Sequence, residues 1–215
     1  MNSLVKTCVI AAYVIPYTAN AENWFIKPYM GLSSMSDIVA DANNINGTVS
    51  GNAAINLEAG FNAGLSGGYY YNDNLAVEFG WEYRSNESQT NITEALSYPE
   101  GNYASSTFYL NGLYHFSSLS NWQPYIGAGL VWVQEIDIDL ERDGSELSYS
   151  GSGDVGLQAI VGTNYRFNKH WALQFEARYT SISGVDLAAE EGAMGRMNGL
   201  DYEPTSLQLG LIYKF

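Results

Sequence analysis

The last nine residues of the chain alternate between two classes of side chain. Every second position from Leu207 to Phe215 holds a large apolar or aromatic residue, and the positions between them hold Gln, Gly, Ile and Lys. A period of two is the period of a β-strand, whose successive side chains point to opposite faces. The segment therefore predicts a strand with one apolar face, which meets either a protein core or lipid.

The same alternation recurs along the whole chain, most clearly from Leu75 to Arg84. A helix cannot explain it, because a period of 3.6 residues would scatter the large apolar side chains around the helix axis. The predicted strands cover residues 24–33, 61–71, 75–84, 107–116, 124–141, 155–167, 171–180 and 207–215.

The segments between these strands are of two kinds. Residues 72–74, 117–122 and 168–170 predict tight turns. Long polar loops are predicted at 34–53, 85–102 and 186–201, and Asp143-Gly144 predicts the tip of a further long hairpin. Long connections that alternate with short turns are typical of outer-membrane barrels. The predicted fold is all-β: an eight-stranded antiparallel up-and-down transmembrane β-barrel with short periplasmic turns and four long extracellular loops.

The first 21 residues have the features of a secretory signal peptide. Lys6 supplies a positive charge, a short apolar run follows from Cys8 to Tyr17, and Ala19-Asn20-Ala21 matches a cleavage site. The run is too short for a spanning helix, which needs ~20 residues. We predict a cleaved signal peptide at 1–21 and one barrel domain at 22–215, without disulfides because Cys8 is the only cysteine.

The composition excludes some classes of protein. The formal net charge is −14 and the sequence contains no cluster of basic residues, which argues against binding to nucleic acid. The chain has 17 Tyr and 22 Gly, and only 15% of its residues are charged. Past the predicted signal peptide, no apolar run is long enough for a transmembrane helix. An exported chain of this kind is expected in the outer membrane, among its lipids and lipopolysaccharide.

Three segments resemble the small eight-stranded outer-membrane barrels of the opacity-protein, OmpX and OmpA-barrel type. They are the run from Gly68 to Trp81, the run from Pro124 to Leu130, and the final Phe215. In that family a C-terminal Phe marks the last strand for the barrel-assembly machinery, so the resemblance implies that Phe215 is an assembly signal. It implies architecture more strongly than activity, because such barrels serve several functions.

The second face of the predicted strands carries charged residues that would point into the lumen. An eight-stranded barrel is just wide enough for its side chains to fill, and charges buried there must be paired. The sequence leaves open whether they plug the lumen or line a narrow pore. The predicted lumen charge network comprises Lys27, Glu78, Glu82, Arg84, Arg166, Glu176, Arg178 and Lys214.

Four carboxylates alternate along the long fifth strand, at Glu135, Asp137, Asp139 and Glu141. Simple alternation places them on the inward face of a hairpin above the membrane and leaves an apolar edge, residues 136–140, on the other face. A ladder of like charges is expected to attract a cation such as Ca²⁺, with a solvated polar face as the alternative. The apolar edge makes an extracellular protein partner a further candidate.

Catalysis and cofactors find little support in the sequence. His115 and Ser117 have the spacing of a lipid-deacylating pair, but they lie at the turn end of a strand, away from the outer leaflet. No metal-ligand or phosphate-cradling motif is present. We predict a non-enzymatic surface protein that serves envelope integrity and recognition or adhesion through acidic loops. The alternatives are a small porin and, third, a lipid A-modifying enzyme.

Overall fold

The computed structural model describes residues 23–93, 96–117 and 120–215. The predicted signal peptide, residues 1–21, lies outside the described residues. Within the described ranges the chain is built from β-strands, and no helix there is long and apolar enough to cross a membrane.

Among the described residues, thirteen strands form one antiparallel sheet. They are β1 (Trp24–Met35), β2 (Ile38–Ile45), β3 (Val49–Leu57), β4 (Gly60–Tyr70), β5 (Leu75–Thr93), β6 (Leu96–Tyr98), β7 (Glu100–His115), β8 (Trp122–Arg142), β9 (Ser145–Gly151), β10 (Val155–Arg166), β11 (Trp171–Ala189), β12 (Arg196–Tyr202) and β13 (Pro204–Lys214).

The strand pairings close on themselves twice. In the lower section the order is β1–β4–β5–β7–β8–β10–β11–β13 and back to β1. In the upper section, called here the extension, the order is β2–β3–β5–β7–β8–β9–β11–β12 and back to β2. Because β5, β7, β8 and β11 run through both sections, the extension continues the wall of the lower section.

The three long loops predicted from polar composition are wrong in detail. The segment 34–53 contains β2 and the start of β3, the segment 85–102 contains the end of β5 and the start of β7, and the segment 186–201 contains most of β12. The reason is that the apolar residues of these segments lie mainly at inward positions, for example Ile38 and Ala40. Their outward positions face water, so Asn, Asp and Gly gave the segments the composition of loops.

The outer surface of the lower section is apolar over its whole circumference. Leu32 is 70% exposed and Leu157 is 66% exposed, and similar side chains cover every strand of the lower circuit. Aromatic rings gather near the short turns, where the rings of Trp24 and Tyr69 meet edge to face at 5.2 Å. A continuous apolar band edged by aromatic rings is the surface that a barrel presents to lipid.

The predicted facing of the acidic ladder is also wrong. A bulge in β8 places both Gln134 and Glu135 outward, since Ser106 of β7 pairs with Glu135 while the next residue, Thr107, pairs with Val133. One extra residue in a strand exchanges its two faces from that point on. The residues from 136 to 140 that were predicted as an exposed apolar edge therefore point inward: Ile136, Ile138 and Leu140 are at most 1% exposed. The four carboxylates, Glu135, Asp137, Asp139 and Glu141, lie on the outside.

Candidate functional site

The interior of the closed sheet changes character from one end to the other. At the short-turn end a cavity of about 960 Å³ opens outward. Above it lies a small apolar layer that includes Phe25, Leu113 and Ile160. A charged layer follows in the lower section, and a large apolar cluster fills the extension.

The charged layer consists of three cations and three carboxylates, all nearly inaccessible to solvent. They come from three strands that are far apart in sequence but meet across the lumen. Its members are Lys27 on β1, Glu78, Glu82 and Arg84 on β5, and Glu176 and Arg178 on β11.

Arg178 is the centre of this layer. Its Nη2 lies 2.6 Å from Oε1 of Glu176 and 3.8 Å from Oε1 of Glu78, and its Nη1 lies 3.2 Å from Oε2 of Glu82. The guanidinium also lies over the ring of Tyr109, 4.4 Å from the ring centroid. A planar guanidinium with several donors suits this bridging position, since a compact ammonium group has no such fork.

Lys27 and Arg84 complete the pairing on either side. The Nζ of Lys27 lies 2.6 Å from Oε2 of Glu78 and 3.9 Å from Oε2 of Glu176. The Nη2 of Arg84 lies 2.6 Å from Oε1 of Glu82. Three positive and three negative charges give the layer no net charge.

Neutral side chains satisfy the remaining carboxylate oxygens. The hydroxyl of Tyr125 donates to Oε2 of Glu176 at 2.7 Å, and Nε2 of Gln208 donates to Oε2 of Glu82 at 2.9 Å. The hydroxyl of Tyr29 also donates to Oε2 of Glu82, at 3.2 Å. Buried charges are stable when they are both paired and hydrogen-bonded. The layer is thus a neutral network of paired and hydrogen-bonded charges inside the lower section.

Two residues of the predicted lumen network lie elsewhere. Arg166 and Lys214 line the cavity at the short-turn end, together with Lys169 and His170. The pattern of inward positions continues to the ends of the strands, so sequence alone could not separate residues at the mouth from those at the centre.

Above the charged layer the extension encloses an apolar column. Fully buried side chains converge there from strands around the wall, among them Ile45, Ile55, Val133, Tyr149 and Met197. They fill the interior, as in the core of a water-soluble domain.

A polar strip on β5 interrupts the apolar column. Asn86, Ser88 and Thr90 point inward and are buried, in line above Arg84. The Ser88 Oγ and Thr90 Oγ1 atoms have no hydrogen-bond partner among the described residues. The column is therefore apolar on most sides and polar on one.

The outward carboxylates on β8 crowd one another. Burial and, after it, the charges of Asp139, Glu190 and Glu135 together raise the pKa of Asp137 to about 6. Within the described ranges no group of three or more His, Cys, Asp or Glu side chains has a geometry that could hold a metal ion. Cation binding by Glu135, Asp137, Asp139 and Glu141 stays a prediction.

The remaining residues singled out by sequence lie near the short-turn end. His115 is buried inside the lower section between the rings of Tyr70 and Tyr125, whereas Ser117 is exposed. The backbone N–H of Phe215 donates to the carbonyl oxygen of Trp24 at 3.0 Å, which joins the two ends of the described chain. Its role as an assembly signal stays a prediction.

Sequence reasoning missed the interior tyrosines. Tyr29, Tyr109 and Tyr125 lie inside with the charged layer and contact its members. One signal was available for Tyr29, because it follows Lys27 by two residues and must share its face.

Comparison with known proteins matches residues 10–215 to the outer membrane protein beta-barrel domain family. Outer-membrane protein y4mB of Sinorhizobium fredii is 25% identical over 152 residues, which are 68% of this chain and 62% of that protein. The chain thus matches less than two thirds of the length of y4mB. Outer membrane protein AlkL of Ectopseudomonas oleovorans is 24% identical over 194 residues, 89% of this chain and 79% of that protein.

A solved structure shares the fold. The crystal structure of outer membrane protein OprG from Pseudomonas aeruginosa superposes with a TM-score of 0.66 at 18% identity, covering 90% of this chain and 96% of that one. A sequence identity of 18% supports a shared fold and no statement about a shared function.

Proposed function

The chain belongs to the outer membrane protein beta-barrel domain family of Gram-negative outer-membrane proteins, and from this premise we propose that it is a non-enzymatic surface protein with a sealed lumen. In this proposal the lower circuit is an eight-stranded transmembrane barrel and the short turns are periplasmic. The apolar band contacts outer-membrane lipids and lipopolysaccharide, and the extension projects from the cell, where its acidic outer face serves recognition. Residues 1–21 are a cleaved signal peptide, and Phe215 is recognised by the barrel-assembly machinery.

The observation that carries the proposal is the charged layer. Arg178 pairs with carboxylates from two strands, and every member of the layer is buried. An ion crossing the lumen would have to break this network and then pass the apolar column, where a charge is costly to desolvate. The charged layer therefore favours a sealed lumen over the small porin that the sequence left as an alternative.

The outer charge supports recognition of cationic partners. Among the described acidic residues, only Asp73 lies at the short-turn end and only Glu78, Glu82 and Glu176 lie in the charged layer; the others lie at or above the upper edge of the apolar band. A field of one sign steers partners of the opposite sign. Basic extracellular proteins and divalent cations are the chemical classes that fit it.

Planar-bilayer conductance of residues 22–215, with and without millimolar Ca²⁺, tests the sealed lumen. We expect no discrete current steps. Steps that change in size in Glu78→Gln would contradict the proposal and make the protein a porin.

Binding of poly-lysine tests the recognition role. We expect it to weaken when Glu135 and Glu141 are replaced by Gln and Asp139 by Asn, and to persist in Asp73→Asn at the opposite end. Equal binding by both variants would remove the acidic face from the proposal.

The apolar column supports a second candidate, uptake of small, largely apolar molecules from the outside. Its lining is apolar on most sides, and the unpartnered hydroxyls of Ser88 and Thr90 offer hydrogen bonds to a polar group. The column is filled by side chains, so a ligand would enter only as the hairpins part.

Fluorescence of N-phenyl-1-naphthylamine with the purified protein tests this candidate. We expect saturable binding that is lost in Ile138→Asn and kept in Val39→Asn, because Ile138 lies in the column while Val39 is exposed on the outside. Signals of equal size from the two variants would show binding at the outer surface and exclude the column.

A further inference from the structure

The cavity at the short-turn end, called here the basic vestibule, concentrates positive charge in an acidic protein. Arg166, Lys169 and Lys214 line it, and Asp73 is the one carboxylate among the lining residues that the structure describes. The sequence as a whole has 23 acidic against 9 basic residues, so three cations around one cavity run against its composition. A concave surface of one sign focuses the field on ligands of the opposite sign.

The walls of the basic vestibule are held by structured turns. Asn72 Oδ1 accepts hydrogen bonds from the N–H groups of Asn74 and Leu75, at 2.9 and 2.8 Å. Asn168 Oδ1 does the same for His170 and Trp171, at 2.8 and 3.0 Å. Side-chain to backbone bonds of this kind fix a turn locally, so the basic vestibule is shaped before any ligand arrives.

Contacts along the rim also position Lys214. Its Nζ lies over the ring of Tyr70, 5.1 Å from the centroid, and its carbonyl oxygen lies 2.9 Å from Nδ1 of His170. The cation is thereby held at the lumen side of the last strand. Lys169 lies in the turn between β10 and β11 and lines the same cavity.

A buried polar atom without a partner lies on the same cavity. Asn164 is 3% exposed and lines the basic vestibule, and its Oδ1 has no hydrogen-bond partner among the described residues. Its Nδ2 is engaged, 3.5 Å from Nε2 of His115. A buried acceptor without a donor is costly, and a ligand hydroxyl would satisfy it.

We propose that the basic vestibule binds a phosphate ester that carries free hydroxyl groups, with the phosphate against Lys169 and Lys214 and a hydroxyl against Asn164. The cations supply charge-assisted hydrogen bonds to phosphate oxygens, and the cavity volume of about 960 Å³ admits a small organic ligand. Glycerol phosphate has this chemistry. It occurs both as a free compound and as the headgroup of phosphatidylglycerol, two sources that an experiment can separate.

The first arm is calorimetric titration of the refolded barrel, in a maltoside detergent that lacks phosphate, with glycerol phosphate, inorganic phosphate and glycerol. We expect glycerol phosphate to bind at least fivefold more tightly than inorganic phosphate, and glycerol not to bind. Lys169→Gln and Lys214→Gln should each weaken binding about tenfold, Asn164→Leu should abolish the preference over inorganic phosphate, and Arg142→Gln at the opposite end should change nothing. Band shift on heating in gel electrophoresis verifies that each variant is folded.

The second arm places the protein in phosphatidylcholine nanodiscs with one fifth phosphatidylglycerol and measures retained lipid by mass spectrometry. Retention of phosphatidylglycerol that is lost in Lys169→Gln assigns the headgroup as the source. Binding of free glycerol phosphate without such retention assigns a free compound. The proposal is overturned if neither arm shows binding, or if glycerol phosphate binds Lys169→Gln and Lys214→Gln as tightly as the native chain.

Discussion

The charged layer and the apolar column are enclosed by the same wall, yet their chemistry is inverted. In the charged layer the inner side chains are charged and the outer side chains around them are apolar. Around the apolar column most inner side chains are apolar and most outer ones are polar, with many acidic residues among them. The difference follows from what lies outside. Apolar burial stabilises a fold only where water is the alternative. A wall surrounded by lipid gains little from it and is held together inside by polar interactions.

On β8, one extra residue marks the change from one region to the other. Trp132 is the last outward apolar residue of β8, Gln134 is the extra residue of the bulge, and Ile136 is the first inward residue after it. Without the bulge, continued alternation would direct the carboxylates inward and the isoleucines into water.

Deletion of Gln134 should have the largest effect on the difference between the two regions. Ile136, Ile138 and Leu140 would turn outward, each losing roughly 1.5–3 kcal/mol of burial, so we expect the extension to lose its order while the lower section remains folded. Limited proteolysis with peptide mapping measures this as new cleavage in 135–151. Gln134→Ala, which keeps the length, is the control and should stay resistant. Unchanged resistance after deletion would mean that the bulge does not determine the facing of β8.

Replacement of Arg178 by Met tests the charged layer by itself. The change leaves Glu176, Glu78 and Glu82 with fewer partners inside the barrel, and loss of one partner from a buried charge network costs about 3–5 kcal/mol. Urea unfolding in lipid vesicles measures the free energy of unfolding. Arg142→Met, at an exposed pair 3.3 Å from Asp143, should change it by less than about 1 kcal/mol. Similar values for the two variants would contradict a stabilising role for the layer.

Truncation of one apolar side chain in each region compares what apolar contacts contribute to stability in the two environments. Ile138→Ala in the apolar column should cost about 2–5 kcal/mol, because a cavity forms in a packed core. Leu209→Ala, on the lipid-facing surface at 50% exposure, should cost far less, since lipid chains fill the space. The same urea unfolding measures both. A larger loss for Leu209→Ala would show that the inside-outside inversion has no energetic counterpart.

The smallest expected effect is a pH dependence at Asp137. Its folded pKa of about 6 lies above the ordinary value of 3.8, so the folded protein binds the proton more tightly than the unfolded chain. Stability should therefore fall as pH rises from about 4 to 6, and the loss is complete above pH 6. We expect Asp137→Asn to raise the thermal midpoint at pH 7.5 and to leave it unchanged at pH 4. Asp143→Asn in the exposed turn is the control, and an equal effect of Asp137→Asn at both pH values would contradict the assignment.

Sequence predicts the parts of the fold in which apolar and polar residues alternate along a strand without interruption. The segments around β4 and β13 and the first half of β5 alternate cleanly, and their facing follows from period two. The extension escaped prediction because its strands carry bulges, at Gln134 and again between Ile182 and Val185, which shift the period. Its outward residues also have the composition of loops.

The candidate site was predictable as a set of residues but not as an arrangement. Period two places Lys27, Glu78 and Arg178 on inward faces, and a narrow barrel requires them to pair. Which carboxylate each cation meets depends on the tilt and register of strands that are far apart in sequence, and period two contains no information about either. For the same reason, sequence could not show that Arg166 and Lys214 belong to the basic vestibule.

Because the hairpins of the extension are paired strands, what this protein presents to its surroundings is the face of a sheet and not a set of flexible peptides. Neighbouring outward residues such as Asp139 on β8 and Ser148 on β9 come from separate segments and are joined side by side, with the Ser148 hydroxyl donating to Asp139 Oδ1 at 2.7 Å. An antibody raised against the folded protein would therefore read conformational epitopes assembled from several strands. Linear peptides copied from residues 135–151 would be poor immunogens for the native surface.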